Sequence, residues 1–141
     1  MNQAMICPLI LVVEDDKEYQ ELLERGHKRS QISCEFKIVD SAEEAFQYLE
    51  NHHTIPNLIL LDYDLPGMDG LQMVEELKKS SYRALPILMF SVHNRPQLIE
   101  QAYEKGVSSF IPKPEGYTSI IELWHSICTF WGEYASLPTL T

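Results

Sequence analysis

Residues 57–70, NLILLDYDLPGMDG, are the segment from which the fold of the rest of the chain can be predicted. Four large apolar residues at 58–61 are typical of a strand that is buried on both faces. The run ends at the carboxylate of Asp62, and Pro66 and Gly70 then predict a turn before an amphipathic helix. Open α/β sheets bind their ligands where strands end in this way. Asp62 is therefore a candidate site residue, although taken alone it could equally cap a turn.

Length and charge indicate the class of protein. At 141 residues the chain is long enough for one domain with its own core. Its formal net charge of −10 argues against sequence-independent binding to nucleic acid or to an anionic membrane, which requires clustered Lys and Arg. No apolar run approaches the length of a membrane span, and the N-terminus lacks a signal-peptide pattern. We therefore expect a soluble, cytoplasmic protein that binds neither nucleic acid nor membrane.

The cysteines and a pair of histidines carry weaker signals. Cys7, Cys34 and Cys128 are odd in number, widely spaced and without a C-x-x-C pairing. We therefore expect reduced and mostly buried thiols, as is usual in a cytoplasmic protein. The adjacent His52 and His53 could bind a metal, but a solvated helix end is the commoner setting for such a pair.

Apolar runs and helical patterns alternate along the whole chain. The predicted strands are residues 9–13, 34–39, 58–61, 85–90 and 108–111. The second of them alternates apolar with polar residues, which suits the edge of a sheet. Five strands that alternate with five helices imply a doubly wound, parallel α/β sheet in the flavodoxin-like order 2-1-3-4-5. In the first helix, predicted for about 16–29, Gly26 weakens the last turn.

This strand order collects acidic residues at one point. Glu14 and Asp15 follow the first strand, so they should lie beside Asp62. Carboxylates in one crevice repel one another unless a cation is present, and hard oxygen ligands favour Mg²⁺ or Mn²⁺ over zinc. The same acids would repel the phosphate of a flavin or nucleotide. Ser91 and Lys113, at the ends of the fourth and fifth strands, add the hydroxyl and the cation that phosphoryl transfer requires.

Four motifs in this order resemble the receiver domain of bacterial response regulators. They are VEDD at 13–16, LDYDLPGMDG at 61–70, FS at 90–91 and IPKP at 111–114. The resemblance spans about residues 8–132, which leaves 1–7 as a disordered lead and 133–141 as a tail. It implies a receiver fold in which a sensor histidine kinase phosphorylates Asp62. Such a protein is a signalling phosphoacceptor and catalyses only its own phosphorylation and dephosphorylation.

The resemblance also implies a role for each site residue. Mg²⁺ would be held by Glu14, Asp15, Asp62 and the backbone carbonyl of Asp64. Ser91 would bond the phosphoryl group, Lys113 would pair with it, and Phe110 would be the aromatic switch residue coupled to Ser91. The peptide bond between Lys113 and Pro114 is expected to be cis.

Three side chains would flank the phosphoryl group and the path of attacking water. They are Asp64, Val92 and His93. Val92 stands where the family usually has Ala or Gly. Because its β-branched side chain is stiff, we expect it to restrict access and to slow the loss of the phosphoryl group.

Two other functions compete with this one. Asp62 and Asp64 also fit the Asp-x-Asp signature of haloacid-dehalogenase-like phosphatases, with Asp62 as nucleophile and Asp64 as acid/base. Against this, Pro66 occupies the position that those enzymes give to Thr or Val, and the upstream acid pair would have no role. An interaction module that has lost phosphorylation is disfavoured, because every site position is filled.

The C-terminal sequence narrows the resemblance. FW at 130–131, Tyr134 and LP at 137–138 are similar to the ending of stand-alone response regulators associated with bacterial phytochromes and related sensor kinases. Only ten residues follow Trp131, which we take as too few for a DNA-binding domain. The expected output is therefore a contact with a downstream protein target or a phosphoryl relay.

The last helix is more apolar than one sheet contact requires. Projection of residues 120–134 at 100° per residue gives an apolar arc of roughly 180°, whereas a helix on a sheet needs about 100°. We therefore predict a homodimer whose interface includes Trp124, Ile127, Phe130, Trp131 and Tyr134. Alternatively, residues 133–141 could fold back over the surplus, or the surface could dock a kinase.

Overall fold

The computed structural model describes residues 7–51, 54–138 and 140. The expected disordered lead therefore falls outside the described residues, apart from Cys7. The prediction about His52 and His53 also falls outside them.

A single sheet of five parallel strands forms the centre of the domain. The strands are β1 (Leu9–Val13), β2 (Glu35–Val39), β3 (Leu58–Asp62), β4 (Ile87–Ser91) and β5 (Ser109–Pro112). Their order is β2-β1-β3-β4-β5, which confirms the predicted doubly wound topology. β3 is buried at every position, as its apolar run indicates, whereas β2 alternates between exposed and covered residues at the sheet edge.

Helices cover both faces of this sheet. They are α1 (Lys17–Ser30), α2 (Ala42–Asn51), α3 (Gly70–Lys78), α4 (Pro96–Lys105) and α5 (Tyr117–Thr129), and α5 continues as a π-helix over Phe130–Tyr134. Side chains cap the first and third helices, because Asp16 accepts from the N–H of Glu18 and Asp69 forms a reciprocal capping box with Gln72. Across residues 7–51, 54–138 and 140, none of the helices combines the length and the apolarity needed to cross a membrane.

The alternation of side chains along the strands divides the core in two. Leu11 and Val13 of β1 belong to the cluster beneath α2, α3 and α4, whereas Ile10 and Val12 belong to the cluster beneath α1 and α5. Both faces of the central strands are therefore buried, which explains why their sequences are continuously apolar.

The packing of α1 against α5 is close and specific. A Cβ atom on Gly26 would lie 2.6 Å from Cγ2 of Ile120, so only glycine allows this approach. Trp124 is 0% exposed, and its indole N–H donates to the carbonyl of Leu23 at 2.9 Å. Gly26 lowers the helix propensity of α1, but it also allows the close contact between α1 and α5.

The expectation of reduced thiols is wrong for two of the three cysteines. Cys34, just before β2, and Cys128, near the end of α5, form a disulfide with their Cα atoms 6.0 Å apart. They are 94 residues apart in sequence, and only the packing of α5 beside the β2 edge brings them together. Cys7 is a free, exposed thiol that donates to the carbonyl of Ser33.

Candidate functional site

The acidic residues meet at the carboxyl ends of β1 and β3. These strands pair with Val13 opposite Leu61, which places Glu14 and Asp15 beside Asp62. Carboxylate oxygens of the three residues all lie within 4.8 Å of one another. Glu14 is 0% and Asp62 is 2% exposed, so two of the three charges have lost most of their contact with water. The strand order predicted from sequence thus brings this cluster together.

Lys113 is the cation of the site. It follows β5, and its N–H donates to the carbonyl of Ser91 at 2.9 Å, which holds the chain at the end of β4. Its Nζ lies 2.6 Å from Oε1 of Glu14 and 3.4 Å from Oδ2 of Asp62. Burial alone would lower the pKa of Lys113, but its hydrogen bonds and charge interactions with Glu14 and Asp62 outweigh burial and raise this pKa. Lys113 is therefore a fixed positive charge.

One lysine does not neutralise the cluster. Burial, followed by repulsion from Glu14, raises the pKa of Asp62 to about 7, although Lys113 and a hydrogen bond from the N–H of Asp64 act in the opposite direction. That hydrogen bond is 3.2 Å long and reaches Oδ1 of Asp62. Three carboxylates thus face one lysine among the described residues, so the site holds more negative charge than that lysine can balance.

The donor atoms fit a divalent cation. Oε2 of Glu14 accepts from the N–H of Asp16 at 3.0 Å. Oε1 is buried, and apart from its ion pair with Lys113 it has no hydrogen-bond partner within the described part of the chain. A buried carboxylate oxygen without such a partner is rare unless another ligand satisfies it. The hard oxygen atoms of Glu14, Asp15 and Asp62 match the preference of Mg²⁺ or Mn²⁺.

Ser91 and its neighbours form the wall of the site beside β4. Ser91 is 1% exposed and its hydroxyl accepts from the N–H of His93 at 2.9 Å. The imidazole Nε2 of His93 lies 3.3 Å from Oδ2 of Asp64, and the ring of Tyr63 meets the imidazole edge-on. Val92 is exposed over 61% of its surface. The two loops that follow β3 and β4 are therefore in contact beside Asp62.

Phe110 and Pro114 lie on the strand and loop that carry Lys113. Phe110 is half-buried in β5, opposite Met89, and its N–H donates to the hydroxyl of Tyr103 at 3.0 Å. The bond between Lys113 and Pro114 is trans, so the predicted cis bond is wrong. The lysine already reaches both acids with the trans bond, which is the form that X–Pro peptides favour.

Tyr19 is a site residue that the sequence pattern does not reveal. Its ring lies 4.1 Å from Nζ of Lys113, a cation–π contact, and its hydroxyl donates to the carbonyl of Pro114 at 2.6 Å. Burial, with the nearby charges of Glu14 and Asp62, raises the pKa of Tyr19, so the hydroxyl stays protonated and remains a donor. In sequence the residue shows only the spacing of an inward-facing position in α1.

The five residues predicted for a dimer interface do not lie on one surface. Trp124 is 0% exposed and is therefore not available to a partner, whereas Ile127 is 4% exposed and reaches the surface only at the floor of a groove. Phe130 and Tyr134 are 53% and 76% exposed, and Trp131 is half-buried. A projection at 100° per residue fails here for two reasons: α1 covers part of the apolar arc, and the helix changes to a π-helix at Phe130.

Comparison with known proteins agrees with this geometry. The family model of the response regulator receiver domain matches residues 10–125. The two-component response regulator ARR5 of Arabidopsis thaliana is 33% identical over 129 residues, which cover 84% of this chain and 69% of the relative. The response regulator Rcp1 of Synechocystis sp. is 28% identical over 136 residues, which cover 92% of each chain.

Solved structures show the same likeness. The phosphorylated cyanobacterial phytochrome response regulator RcpA superimposes with a TM-score of 0.85 at 27% identity, over 95% of this chain and 100% of that one. The Mn²⁺-bound form of Rcp1 gives a TM-score of 0.80 at 28% identity, over 94% and 99%. These comparisons do not support the phosphatase alternative. The chain belongs to the response regulator receiver family, whose members are phosphoacceptors in two-component signalling and not enzymes.

Proposed function

We propose that Asp62 is the phosphoacceptor and that it receives its phosphoryl group from a phosphohistidine of a sensor histidine kinase. The observation that carries this proposal is the burial of Asp62 at the end of β3, where Lys113 lies 3.4 Å away. An Oδ atom of Asp62 forms the new O–P bond while the N–P bond of the phosphohistidine breaks. Histidine is the leaving group, and the product is an acyl phosphate.

Glu14, Asp15 and Asp62, together with the backbone carbonyl of Asp64, would hold Mg²⁺ or Mn²⁺. The buried Oε1 of Glu14, which has only its ion pair with Lys113 among the described residues, and the excess of carboxylates over lysine support this assignment. When bound, the ion supplies positive charge that offsets the negative charge of the phosphoryl oxygens. A Mn²⁺-bound form of the similar protein Rcp1 has been solved, which favours a divalent cation here.

Three further residues respond to the phosphoryl group in this proposal. Lys113 pairs with a phosphoryl oxygen, and the hydroxyl of Ser91 donates to another. Ser91 is buried at the end of β4, and its backbone carbonyl accepts from the N–H of Lys113. Phe110 is the switch residue, since it is half-buried one strand away and can change its packing when Ser91 is engaged.

Val92, His93 and Asp64 set the lifetime of the acyl phosphate. The contact between His93 and Asp64 closes one side of the site, and Val92 is exposed beside it. Together they narrow the approach of water to the phosphorus atom.

Acceptance of phosphate is tested with a small donor. Wild type incubated with acetyl phosphate and Mg²⁺ should gain the mass of one phosphoryl group, and Asp62→Asn should gain none. Asp64→Asn is the matched control, because a receiver should still accept phosphate whereas a phosphatase would lose turnover. Phosphorylation of Asp62→Asn to the wild-type level would contradict the assignment of the acceptor.

We infer that the partner is a phytochrome-like sensor kinase. We also infer that this protein acts in the cytoplasm. The similar structures include RcpA, a phytochrome response regulator, and RPA3017, a regulator in red light signalling of R. palustris, with a TM-score of 0.86 at 28% identity. Phosphotransfer from a panel of the host's histidine kinases tests the inference. The fastest transfer should come from a phytochrome-like kinase, and preference for an unrelated kinase would contradict it.

We also propose a homodimer, on a surface narrower than the sequence predicts. Phe130 and Trp131 border an open groove of about 490 Å³ between the end of α5 and the edge strand β5. Phe130 also borders a second depression, which Tyr134 lines. The floor of the groove is apolar and includes Leu88, Ile111, Leu123 and Ile127. Symmetric pairing would bury the two exposed aromatic side chains of each copy, and phosphorylation would influence it through Phe110 on β5.

Sedimentation velocity decides the dimer proposal. Wild type should be a dimer at tens of micromolar, and Phe130→Glu/Tyr134→Glu should be a monomer. Tyr117→Glu, at the other end of α5, exchanges an exposed tyrosine and should leave the dimer intact. A wild type that remains monomeric with and without acetyl phosphate would contradict the proposal.

A further inference from the structure

We propose that the bond between Cys34 and Cys128 is a reversible thiol–disulfide site that fastens and releases the end of α5, separately from phosphorylation. The two functions occupy opposite ends of the sheet. Cys34 immediately precedes β2, at the amino ends of the parallel strands, whereas Glu14 and Asp62 lie at the carboxyl ends. A change in one site therefore does not directly alter the groups of the other.

The two cysteine residues differ in their exposure to solvent. Cys34 is 2% exposed, and its carbonyl is bonded to the imidazole of His27. Cys128 is half-buried at the penultimate position of α5. Because Cys128 is the more exposed residue of the pair, a small thiol is expected to attack its sulfur, with Cys34 as the leaving group inside the protein.

The fold around the bond does not depend on it. Trp124 remains held by its hydrogen bond to Leu23 and by its ring contacts with His27 and Phe36, with centroids 5.2 Å away in both cases. A domain of 141 residues with apolar clusters on both faces of its sheet has enough core to fold without a covalent link. The disulfide is thus an addition to a complete core.

The bond restrains the segment that follows it. After Cys128 the chain leaves the α-helix for the π-helix at Phe130–Tyr134, and Leu137 then packs back on the cluster beneath α1 and α5. Phe130 and Tyr134 are exposed and bury little surface of their own. Once Cys128 is released, this segment has few buried contacts, and local opening of the chain begins in such regions.

Reversibility follows from exchange with a low-molecular-weight thiol such as glutathione. A glutathione thiolate attacks the sulfur of Cys128, the Cys34–Cys128 bond breaks, and Cys34 leaves as a thiolate that takes a proton. A second glutathione thiolate then attacks the glutathione sulfur of the mixed disulfide, which yields oxidised glutathione and the thiol of Cys128. Two electrons pass from two glutathione molecules to the protein, and oxidised glutathione returns the pair to the disulfide by the reverse steps.

The biological part of this inference rests on the proposed cytoplasmic function. In a compartment that contains reduced glutathione and thioredoxin, a persistent structural disulfide is unusual, and a conditional one is the common form. The free thiol of Cys7, which contacts Ser33 next to Cys34, provides a control that removes one thiol and leaves the pair intact.

The experiment equilibrates the whole chain in glutathione buffers of graded ratio, blocks free thiols and maps the cysteines by mass spectrometry. In wild type and in Cys7→Ser, the Cys34–Cys128 pair should change from disulfide to two thiols as the ratio of reduced to oxidised glutathione rises at millimolar total concentration. Reduction should lower Tm by roughly 5–15 °C and speed amide hydrogen exchange over residues 129–138 by about tenfold. The variant Cys34→Ser/Cys128→Ser should have the reduced values in every buffer.

Phosphorylation of Asp62 by acetyl phosphate is measured on the same samples. It should be equal in the oxidised and reduced states, which shows that reduction leaves the fold intact. Failure of Asp62 to accept phosphate would contradict the proposed function and not the thiol site. A disulfide that persists in 10 mM reduced glutathione, or reduction that leaves exchange over 129–138 unchanged, would overturn the thiol site.

Discussion

At the carboxyl ends of β1 and β3, two carboxylates are almost completely buried and share a single lysine. On the α1–α5 face of the same sheet, Trp124 is just as deeply buried, but its one polar atom is hydrogen-bonded and apolar side chains surround the rest. The first region crowds like charges, and Oε1 of Glu14 has no hydrogen-bond partner among the described residues apart from its ion pair with Lys113. The second region satisfies its polar groups and is closed by a disulfide.

The comparison shows that the apolar α1–α5 face stabilises the domain, whereas the acid cluster makes it reactive. Burial of like charges destabilises the folded chain until a cation or a phosphoryl group changes the charge balance. Apolar burial beneath α1 and α5 stabilises it under all conditions in which the protein is folded. Changes at the acid cluster should therefore alter ligand response and pH dependence, and changes at the helix contact should alter stability alone.

The largest effect is expected at Trp124. Trp124→Ala empties a fully buried position and leaves the carbonyl of Leu23 without its donor, so the free energy of unfolding should fall by about 3–5 kcal/mol. Phe130→Ala removes an aromatic side chain that is 53% exposed and should cost no more than about 0.5 kcal/mol in dilute, monomeric protein. Urea unfolding under oxidising conditions measures both. Equal losses would show that the apolar contact of α1 with α5 does not dominate stability.

The next effect is the dependence of stability on pH at the acid cluster. Because the pKa of Asp62 is raised to about 7, the folded chain keeps this proton to a higher pH than the unfolded chain does. Without metal, stability should therefore fall as the pH rises from about 4 to 7 and then level off, by up to about 4 kcal/mol for one isolated group. Asp62→Asn should remove most of this slope.

Mg²⁺ sharpens the same prediction. The ion should raise Tm of wild type clearly at pH 8 and little at pH 5, where Asp62 is protonated, and it should do much less for Asp62→Asn. Thermal melts across pH, with and without millimolar Mg²⁺, provide the measurement. A Mg²⁺ effect of the same size at both pH values would argue against Asp62 as a ligand.

A moderate effect is expected at the crossing of α1 and α5. Gly26→Ala places a Cβ 2.6 Å from Cγ2 of the buried Ile120, and the strain should exceed the gain in helix propensity, for a net loss of about 1–2 kcal/mol. Gly116→Ala is the control, because an added Cβ there meets nothing within 4 Å and should change stability by only a few tenths. A Gly26→Ala protein as stable as wild type would mean that the helices can move apart without cost.

The smallest effect concerns the lifetime of the acyl phosphate. Val92→Ala should shorten its half-life by a few-fold, because the β-branched side chain beside Ser91 restricts the approach of water. The effect is modest because Val92 is 61% exposed and can shield only one side. Loss of phosphoryl mass over time compares the two proteins at equal Mg²⁺, and a wild type that loses phosphate as fast as the variant would contradict this role.

The hydrophobic pattern was sufficient to predict the sheet and the acid cluster at the carboxyl ends of its strands. Parallel strands buried on both faces must be continuously apolar, so the runs at 9–13 and 58–61 mark the central strands directly. Since neighbouring parallel strands end at the same edge, the residues that follow each run are brought together with no further information. Glu14, Asp15, Asp62 and Lys113 could be assigned to one site for this reason.

Contacts between distant segments had no signal in the local sequence. The pairing of Cys34 with Cys128 and the cation–π contact of Tyr19 with Lys113 both depend on how a helix packs against another element. The five residues predicted for the dimer interface do not share one surface for the same reason. An apolar arc shows that α5 has surface to bury, but only the tertiary structure decides which part α1 covers and where the π-helix changes the phase of the side chains.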